Sequence, residues 1–521
     1  MMSTPNLWAG KSRICPKEAE SRKSPPKNRP MVFAFAGDST ITRFIIFQKY
    51  SIKLSVKEKS GIIMGIMKLW DGKFKKKLDR EVEEFTFSLS VDKELAKYDV
   101  SGSIAHTRML AKCKIIKEKE AKKIVFALKE IGRELEKGKF LFKDDEDIHT
   151  AVERSLTEKI GTLGEKLHTA RSRNDQIALD ERLYTKDKIK EIISQITKFQ
   201  KIILRVAKKE QNVVMPGYTH LQHAQPILFS HWLLAYLEML ERDKSRFNDS
   251  YARVDVLPLG AGAGFGTSLP IDRKWTAKVL GFSKVAENSL DAVSDRDFLI
   301  EVSSASAILM MHLSRLSEEI VLWNSQEFNF LEIDDAFATG SSLMPNKKNP
   351  DIPELIRGKT AKVYGEFFAL LSLMKNLPLA YNRDMQEDKK GFFETVKIVL
   401  SSLNIYSKFL PKIKLNKARM RKMAEKGETT ATDLVEYLVA KKIPFREAHR
   451  IVGKILKNLA GSGKRLKEAS LSELKNFSPQ FAKDALKRIK VESSVKNKTS
   501  FGGTSPGEVQ KRIKDWEKKI E

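Results

Sequence analysis

Four short polar stretches interrupt a chain that otherwise shows helical apolar spacing. They are "DEDIHTAVE" around His149, "HTARSRNDQ" (168–176), "PGYTHLQHAQP" (216–226) and "TGSSLMPNKKNP" (339–350) followed by "AYNRDMQEDK" (380–389). Between them they hold His149, His168, His220 and His223, four of the chain's eight histidines. An imidazole titrates near neutral pH and can pass a proton in either direction. Arg171, Arg173, Asn174, Thr219, Ser341, Lys347 and Asn349 are donors suited to carboxylates. Taken singly each has a plainer reading: the arginines as surface charges, Asn174 as a helix cap, Thr219 as a turn residue. Their density in so few residues points instead to a site for anions and proton transfer.

Other chemistries fit less well. His220 and His223 stand three apart, but Pro216, Gly217 and Pro226 argue against a regular helix there, and no HExxH or similar ligand pattern occurs, so no metal site is expected. Ser341 and Ser342 do not sit in G-x-S-x-G, which argues against a serine hydrolase. The glycines of "PLGAGAGFGTSLP" (258–270) are spaced two apart and Pro270 follows where a helix should open, so this is read as a turn-rich connector rather than a dinucleotide loop.

The elements that must hold these residues are helices. Ile189, Ile192, Ile193, Ile196, Phe199, Ile203 and Val206 mark one apolar face within 185–210. Phe229, Leu233, Tyr236, Leu237 and Leu240 do the same within 226–247, with Pro226 expected in the first turn. Two more long helices are expected over 297–328 and 353–375, and alternating strand patterns are scarce. The fold class is therefore all-α. Several helices of this length must bury their apolar faces by bundling, within or between subunits.

The chain has 521 residues with 41% hydrophobic content, a globular composition. No apolar run reaches the roughly 18 residues of a membrane span. Cys15 and Cys113, the two cysteines, exclude a disulfide framework and a Cys-based zinc site and fit a reducing compartment. The net charge is +28. Its lysines are scattered rather than interleaved with aromatics, so it is read as solvated helix surface rather than a nucleic-acid face. Residues 1–66 differ from the rest, with 12 Lys+Arg against 4 Asp+Glu. They are read as an extension preceding a start at Met64 or Met67, with a transit peptide as the alternative.

Together the stretches resemble the fumarase/aspartase superfamily. "GSSLMPNKKNP" matches that superfamily's G-S-S-x-x-P-x-K-x-N signature at every fixed position; Asn346, where many relatives have Gln, falls in a variable slot. "HTARSRNDQ", "GYTHLQHAQP", "LWDGKF" (69–74), "DAVSDRDF" (291–298), "NRDMQEDK" (382–389) and "TSFGGTSP" (499–506) are similar to argininosuccinate lyases in particular. The resemblance covers about 67–521. It implies reversible cleavage of argininosuccinate to arginine and fumarate, without metal or organic cofactor. It also implies a three-domain, all-α, fumarase/aspartase-like fold with a long central helical bundle, and a homotetramer whose active sites are shared between chains; the expected location is the cytoplasm, or an organelle if residues 1–66 are a transit peptide. The expected divisions are a leader (1–66), an N-terminal helical domain (67–172), the bundle (173–421) and a C-terminal helical domain (422–521).

The same resemblance implies roles. Ser341 is the general base, acting as an alkoxide whose pKa is depressed by backbone amides of the glycine-serine turn and by Lys347. Lys347 and Asn349 hold the substrate carboxylate. His220, oriented by Glu354, belongs at protonation of the departing guanidinium nitrogen, and His149 lies near the site. Ser88, Arg173, Asn174, Thr219, Tyr381, Gln386 and Lys389 position substrate. Two alternatives stay open at this point: adenylosuccinate lyase, which shares the loop, or another fumarate-releasing lyase; and a non-catalytic structural protein like the delta-crystallins.

Overall fold

The computed structural model describes residues 78–520. The basic leader, the 69–74 stretch and Cys15 lie outside the described residues. Helices dominate, and the strands form only four two-stranded ladders among the described residues. The longer elements, in chain order, are α1 (Ala96–Lys112), α2 (Glu118–Glu136), α3 (Ile148–Ile160) and α4 (Arg173–Lys209). A hairpin follows, β1 (Val214–Thr219) and β2 (Gln222–Leu228). Then come α5 (Phe229–Val254), α6 (Asp297–Asn324), α7 (Asp351–Met374), α8 (Asp388–Phe409), α9 (Ala431–Ala440), α10 (Phe445–Gly461) and α11 (Pro506–Ile520).

Helices α4 to α8 pack on one another as the central bundle. The 37 residues of α4 span about 55 Å at 1.5 Å per residue. Its expected apolar face is the buried one: Ile189, Ile192, Ile196, Phe199 and Ile203 are fully buried, and Ile193 and Val206 half-buried. Each such side chain contributes about 1.5–3 kcal/mol by leaving water. One apolar core runs from the N-terminal helices through the bundle, and α11 returns to it with Val509, Ile513, Trp516 and Ile520. A second core, with Leu434, Leu438, Val452, Ile455 and Phe481, joins α9 and α10 to the segments after them.

One expectation fails locally. Pro226 does not open a helix. It lies in β2, paired across the ladder with Pro216, and α5 begins at Phe229. Neither proline can donate to a ladder, and the pairing register shifts between Pro216 and Tyr218, so the two share an irregular stretch of a two-stranded edge.

Candidate active site

The first group of polar residues gathers at the N-terminus of α4. Ser172, not Asn174, is the cap: its hydroxyl accepts from the Asn174 N–H while Ser172 N–H donates to Asp175 Oδ1 at 2.9 Å. The other Asp175 oxygen accepts from the Gly260 and Gly262 amides at 2.8 and 2.9 Å. That bond ties the glycine connector to the helix start. Gly260 has φ +91°, and a Cβ there would meet Arg273 Cγ at 2.7 Å, so only glycine fits the approach. Asn174 Nδ2 donates to Ala263 O at 3.2 Å. Arg173 reaches the start of α3, donating to Thr150 Oγ1 at 3.1 Å and pairing with Asp147 at 3.4 Å.

Against this end stands the turn before α1. Ser88 donates to Asp92, and its own N–H bonds Glu146 O at 2.9 Å. Gln386 Nε2 and Arg383 Nη2 both donate to Thr86 O, at 3.1 and 2.9 Å. Lys389 is buried, its ammonium held by Asp388 Oδ1 at 2.8 Å and Glu181 Oε1 at 3.4 Å. Arg296 completes this buried quartet, 3.0 Å from Glu181 and bonded to Asp388. Burial pushes the Glu181 carboxyl up to about 7; Arg296 and Lys389 oppose the shift and the Asp388 charge adds to it. Tyr381, half-buried beside the quartet, has its hydroxyl pKa raised by burial. Lys389 thus sits among carboxylates rather than at an open surface.

His149 is buried on α3 and donates or accepts through Nδ1 with Asp99 Oδ1 at 2.9 Å. Asp180 Oδ2 lies 3.5 Å from the same nitrogen.

The second group is the hairpin tip. His220 (φ 55°) and Leu221 (φ 56°) are its two central residues, and both occupy the left-handed region. That is the type I′ arrangement, which Asn-Gly adopts cheaply and a His-Leu pair does not; each such residue stores about 1–3 kcal/mol. The strain projects Thr219 and His220 from the end of the ladder into solvent. His223, further along β2, is anchored instead, its Nδ1 bonding Lys426 O at 2.7 Å.

The third group is the signature loop, closed by a short ladder of Thr339–Gly340 with Lys348–Asn349. Ser341 Oγ accepts N–H bonds from Leu343 at 3.2 Å and Met344 at 3.0 Å. The amides that serve this oxygen are therefore those two and three positions downstream, not those of the glycine-serine turn. Gly340 keeps an ordinary φ and has room for a Cβ, so this turn does not require it. Asn349 Nδ2 donates to Gly340 O at 3.3 Å, bracing the loop, and Lys347 is exposed. Lys348, its neighbour, pairs with Glu332 at 3.2 Å.

Ser88, His149, Arg173, Asn174, Tyr381, Gln386 and Lys389 therefore share one neighbourhood, Thr219 and His220 another, and Ser341, Lys347 and Asn349 a third. Glu354, on the first turn of α7, reaches Arg357 at 3.9 Å within its own chain. Sequence reasoning did not single out Asp99, Asp180, Glu181, Arg296 or Asp388. For the four acids the signal is a charged residue on the buried face of a helix, where it must have a partner; Arg296, which stands at the N-cap position of α6, gives no such signal.

A family model described as "Lyase" matches residues 72–365, and one described as "Argininosuccinate lyase C-terminal" matches 428–496. The argininosuccinate lyase of Syntrophobacter fumaroxidans is 53% identical over 86% of this chain and 96% of its own length. The chain belongs to the argininosuccinate lyase family. The family's enzymes from Syntrophus aciditrophicus and Carboxydothermus hydrogenoformans are each 52% identical over 86% of the chain. Among solved structures, EDDS lyase in complex with formate superposes with TM-score 0.73 at 26% identity, covering 82% of this chain and 87% of that one. Class II fumarase from Schistosoma mansoni shares the fold with TM-score 0.66 at 17% identity, covering 78% of this chain and 92% of that one. The family makes this chain a carbon–nitrogen lyase.

Proposed function

We propose that this chain cleaves argininosuccinate reversibly into arginine and fumarate, as a step of arginine biosynthesis. The observation that carries the reading is 53% identity to an argininosuccinate lyase along nearly its whole length. Elimination begins with loss of a proton from the carbon beside a carboxylate. The carbanion delocalises into that carboxylate as a doubly charged aci form, so the main demand is for donors arranged in advance around developing negative charge. Ser341 Oγ, already accepting two backbone N–H bonds, takes the proton as an alkoxide. Lys347 and Asn349 hold the carboxylate. His220, oriented by Glu354, serves the leaving guanidinium nitrogen. Ser88, Arg173, Asn174, Thr219, Tyr381 and Gln386 position the substrate, with His149 beside them, while Lys389, caged by Asp388 and Glu181, acts from behind this wall rather than by touching substrate.

The three groups of residues act together when they come from different chains of a homotetramer. The apolar face of α7 supports this: Tyr364, Phe368 and Leu371, spaced i, i+4 and i+7, are 44%, 70% and 40% exposed on a bundle helix, a stripe that another copy would cover. The division at 172/173 and 421/422 belongs to the same proposal, with α11 returning to the bundle. Among the described residues no helix is long and apolar enough to cross a membrane, and we place the protein in the cytoplasm.

The test is ultraviolet detection of fumarate from argininosuccinate, with adenylosuccinate assayed alongside. Release from argininosuccinate alone is expected; release from adenylosuccinate alone would overturn the reading. Mixing Ser341→Ala chains with His149→Ala chains should restore part of the activity lost in each, since some sites then draw both intact residues from different subunits. No recovery after dissociation and reassembly would refute shared sites.

A further inference from the structure

Three helices bring Asp99 (α1), His149 (α3) and Asp180 (α4) into one place with no access to water; each is 1% exposed or less. Asp99 Oδ1 is engaged twice, by His149 Nδ1 at 2.9 Å and by Gln176 Nε2. The remaining carboxylate oxygens are not. Asp99 Oδ2 and both Asp180 oxygens are buried without a hydrogen-bond partner among the described residues, and so is His149 Nε2. One oxygen of each acid and a ring nitrogen lie within 4.8 Å of one another.

Two ionised carboxylates cannot share such a spot cheaply. Each costs several kcal/mol to strip of water, and they repel each other in a medium that screens poorly. The charged groups facing Asp180 are Asp99, His149, Arg171 and the adjacent Glu181. Arg171 cannot neutralise the pair alone: it donates to Ser103 Oγ at 2.9 Å and also faces Glu153 and Asp175. A single proton resolves the arrangement. A neutral Asp180 would have an O–H to donate to an Asp99 oxygen, which removes one charge and supplies a donor between the two acids.

We propose that Asp180 is a protonated carboxylic acid at neutral pH, and that the Asp180–Asp99 pair is a clamp that fixes His149 with Nδ1–H donated to Asp99 and Nε2 left to exchange a proton. Asp99 and Asp180 are then positioning residues, and the inference rests on the placement of His149 at the active site proposed above. The electrostatics agree with the split. Burial, with the Asp99 charge, raises the Asp180 carboxyl well above its ordinary range. Burial pulls on Asp99 the same way, but the hydrogen bonds from His149 and Gln176 and the Arg171 charge oppose it, and Asp99 lies below its ordinary range.

The direct test is infrared difference spectroscopy of the intact protein at pH 8, wild type minus Asp180→Asn. A carbonyl band of a protonated carboxylic acid, present in wild type and lost in the variant, is expected; its absence overturns the proposal. The band is read without substrate, so it reports on the proton whatever the substrate is, while the fumarate assay judges the reaction separately. The same three ligands would also suit a divalent ion. Stoichiometric metal in the purified wild-type protein, missing from Asp180→Asn, would overturn the shared proton in favour of a cation. In kinetics, Asp99→Asn should lower kcat by about 100-fold with KM within a few-fold. Asp180→Ala should lower kcat about tenfold, and Asp180→Asn, which keeps a donor towards Asp99, should recover most of that loss. Equal losses in the alanine and asparagine variants would refute the clamp.

Discussion

At the scale of single residues, the candidate chemistry depends on oxygen and nitrogen atoms held in unusual surroundings. Ser341 Oγ is the clearest case, because two amides already point at it before any substrate arrives. Removing that oxygen should cost about 10²–10⁴-fold in kcat while leaving substrate binding intact, since Lys347 and Asn349 remain. Equilibrium binding of argininosuccinate to Ser341→Ala, measured beside its turnover, checks this; near-normal turnover would exclude Ser341 as the base. The residue types here were legible from sequence. Which amides serve Ser341 was not, because a loop's hydrogen bonds depend on its closure, and the Thr339–Gly340 ladder sets that closure. The same limit applies to Asn174: its type suits a cap, but Ser172 takes that place and leaves the Asn174 amide group to reach Ala263.

At the scale of elements, two devices carry the site. The hairpin holds His220 out on a strained tip, and Gly217 permits it: a Cβ there would lie 2.8 Å from Gln225 O and 3.2 Å from Ile227 Cγ2. Backbone cannot yield cheaply, so Gly217→Ala should cost about 1–3 kcal/mol of stability and lower kcat by displacing His220. Thermal unfolding and turnover measured together decide it; an unchanged variant would show that the hairpin tolerates the side chain. The buried quartet of Glu181, Arg296, Asp388 and Lys389 ties α4, α6 and α8 together. Glu181 carries a folded pKa of about 7 against an ordinary 4.5. The folded state therefore holds the proton more tightly, and this group's contribution to stability falls as pH rises through that window. Denaturant unfolding of wild type and Glu181→Gln at pH 5 and pH 8 should show the wild type losing stability relative to the variant at the higher pH. Identical pH dependence would exclude Glu181 as the source.

At the scale of the whole molecule, the exposed stripe on α7 and the three separated polar groups describe one situation. A bundle helix with Phe368 70% exposed has an unfinished interface. Phe368→Asp should shift the protein to smaller species in light scattering and lower activity with it, whereas a fully assembled variant would move the interface elsewhere.

The periodicity of α4 and the composition of the loops were determined by sequence alone, because a 3–4 apolar spacing allows one buried face and Gly, Pro, Ser and Asn together resist regular structure. The signature and its companion stretches likewise pointed to the family that the relatives then showed. Only the tertiary structure decided that Pro226 belongs to a strand, that Lys389 is caged by carboxylates, and that Asp99 and Asp180 face one another beside His149. Asp99 and Asp180 stand 81 positions apart on different helices, and spacing along a chain carries no information about which helix faces meet. That is settled by packing, and with it which buried charge finds a partner and which must keep a proton.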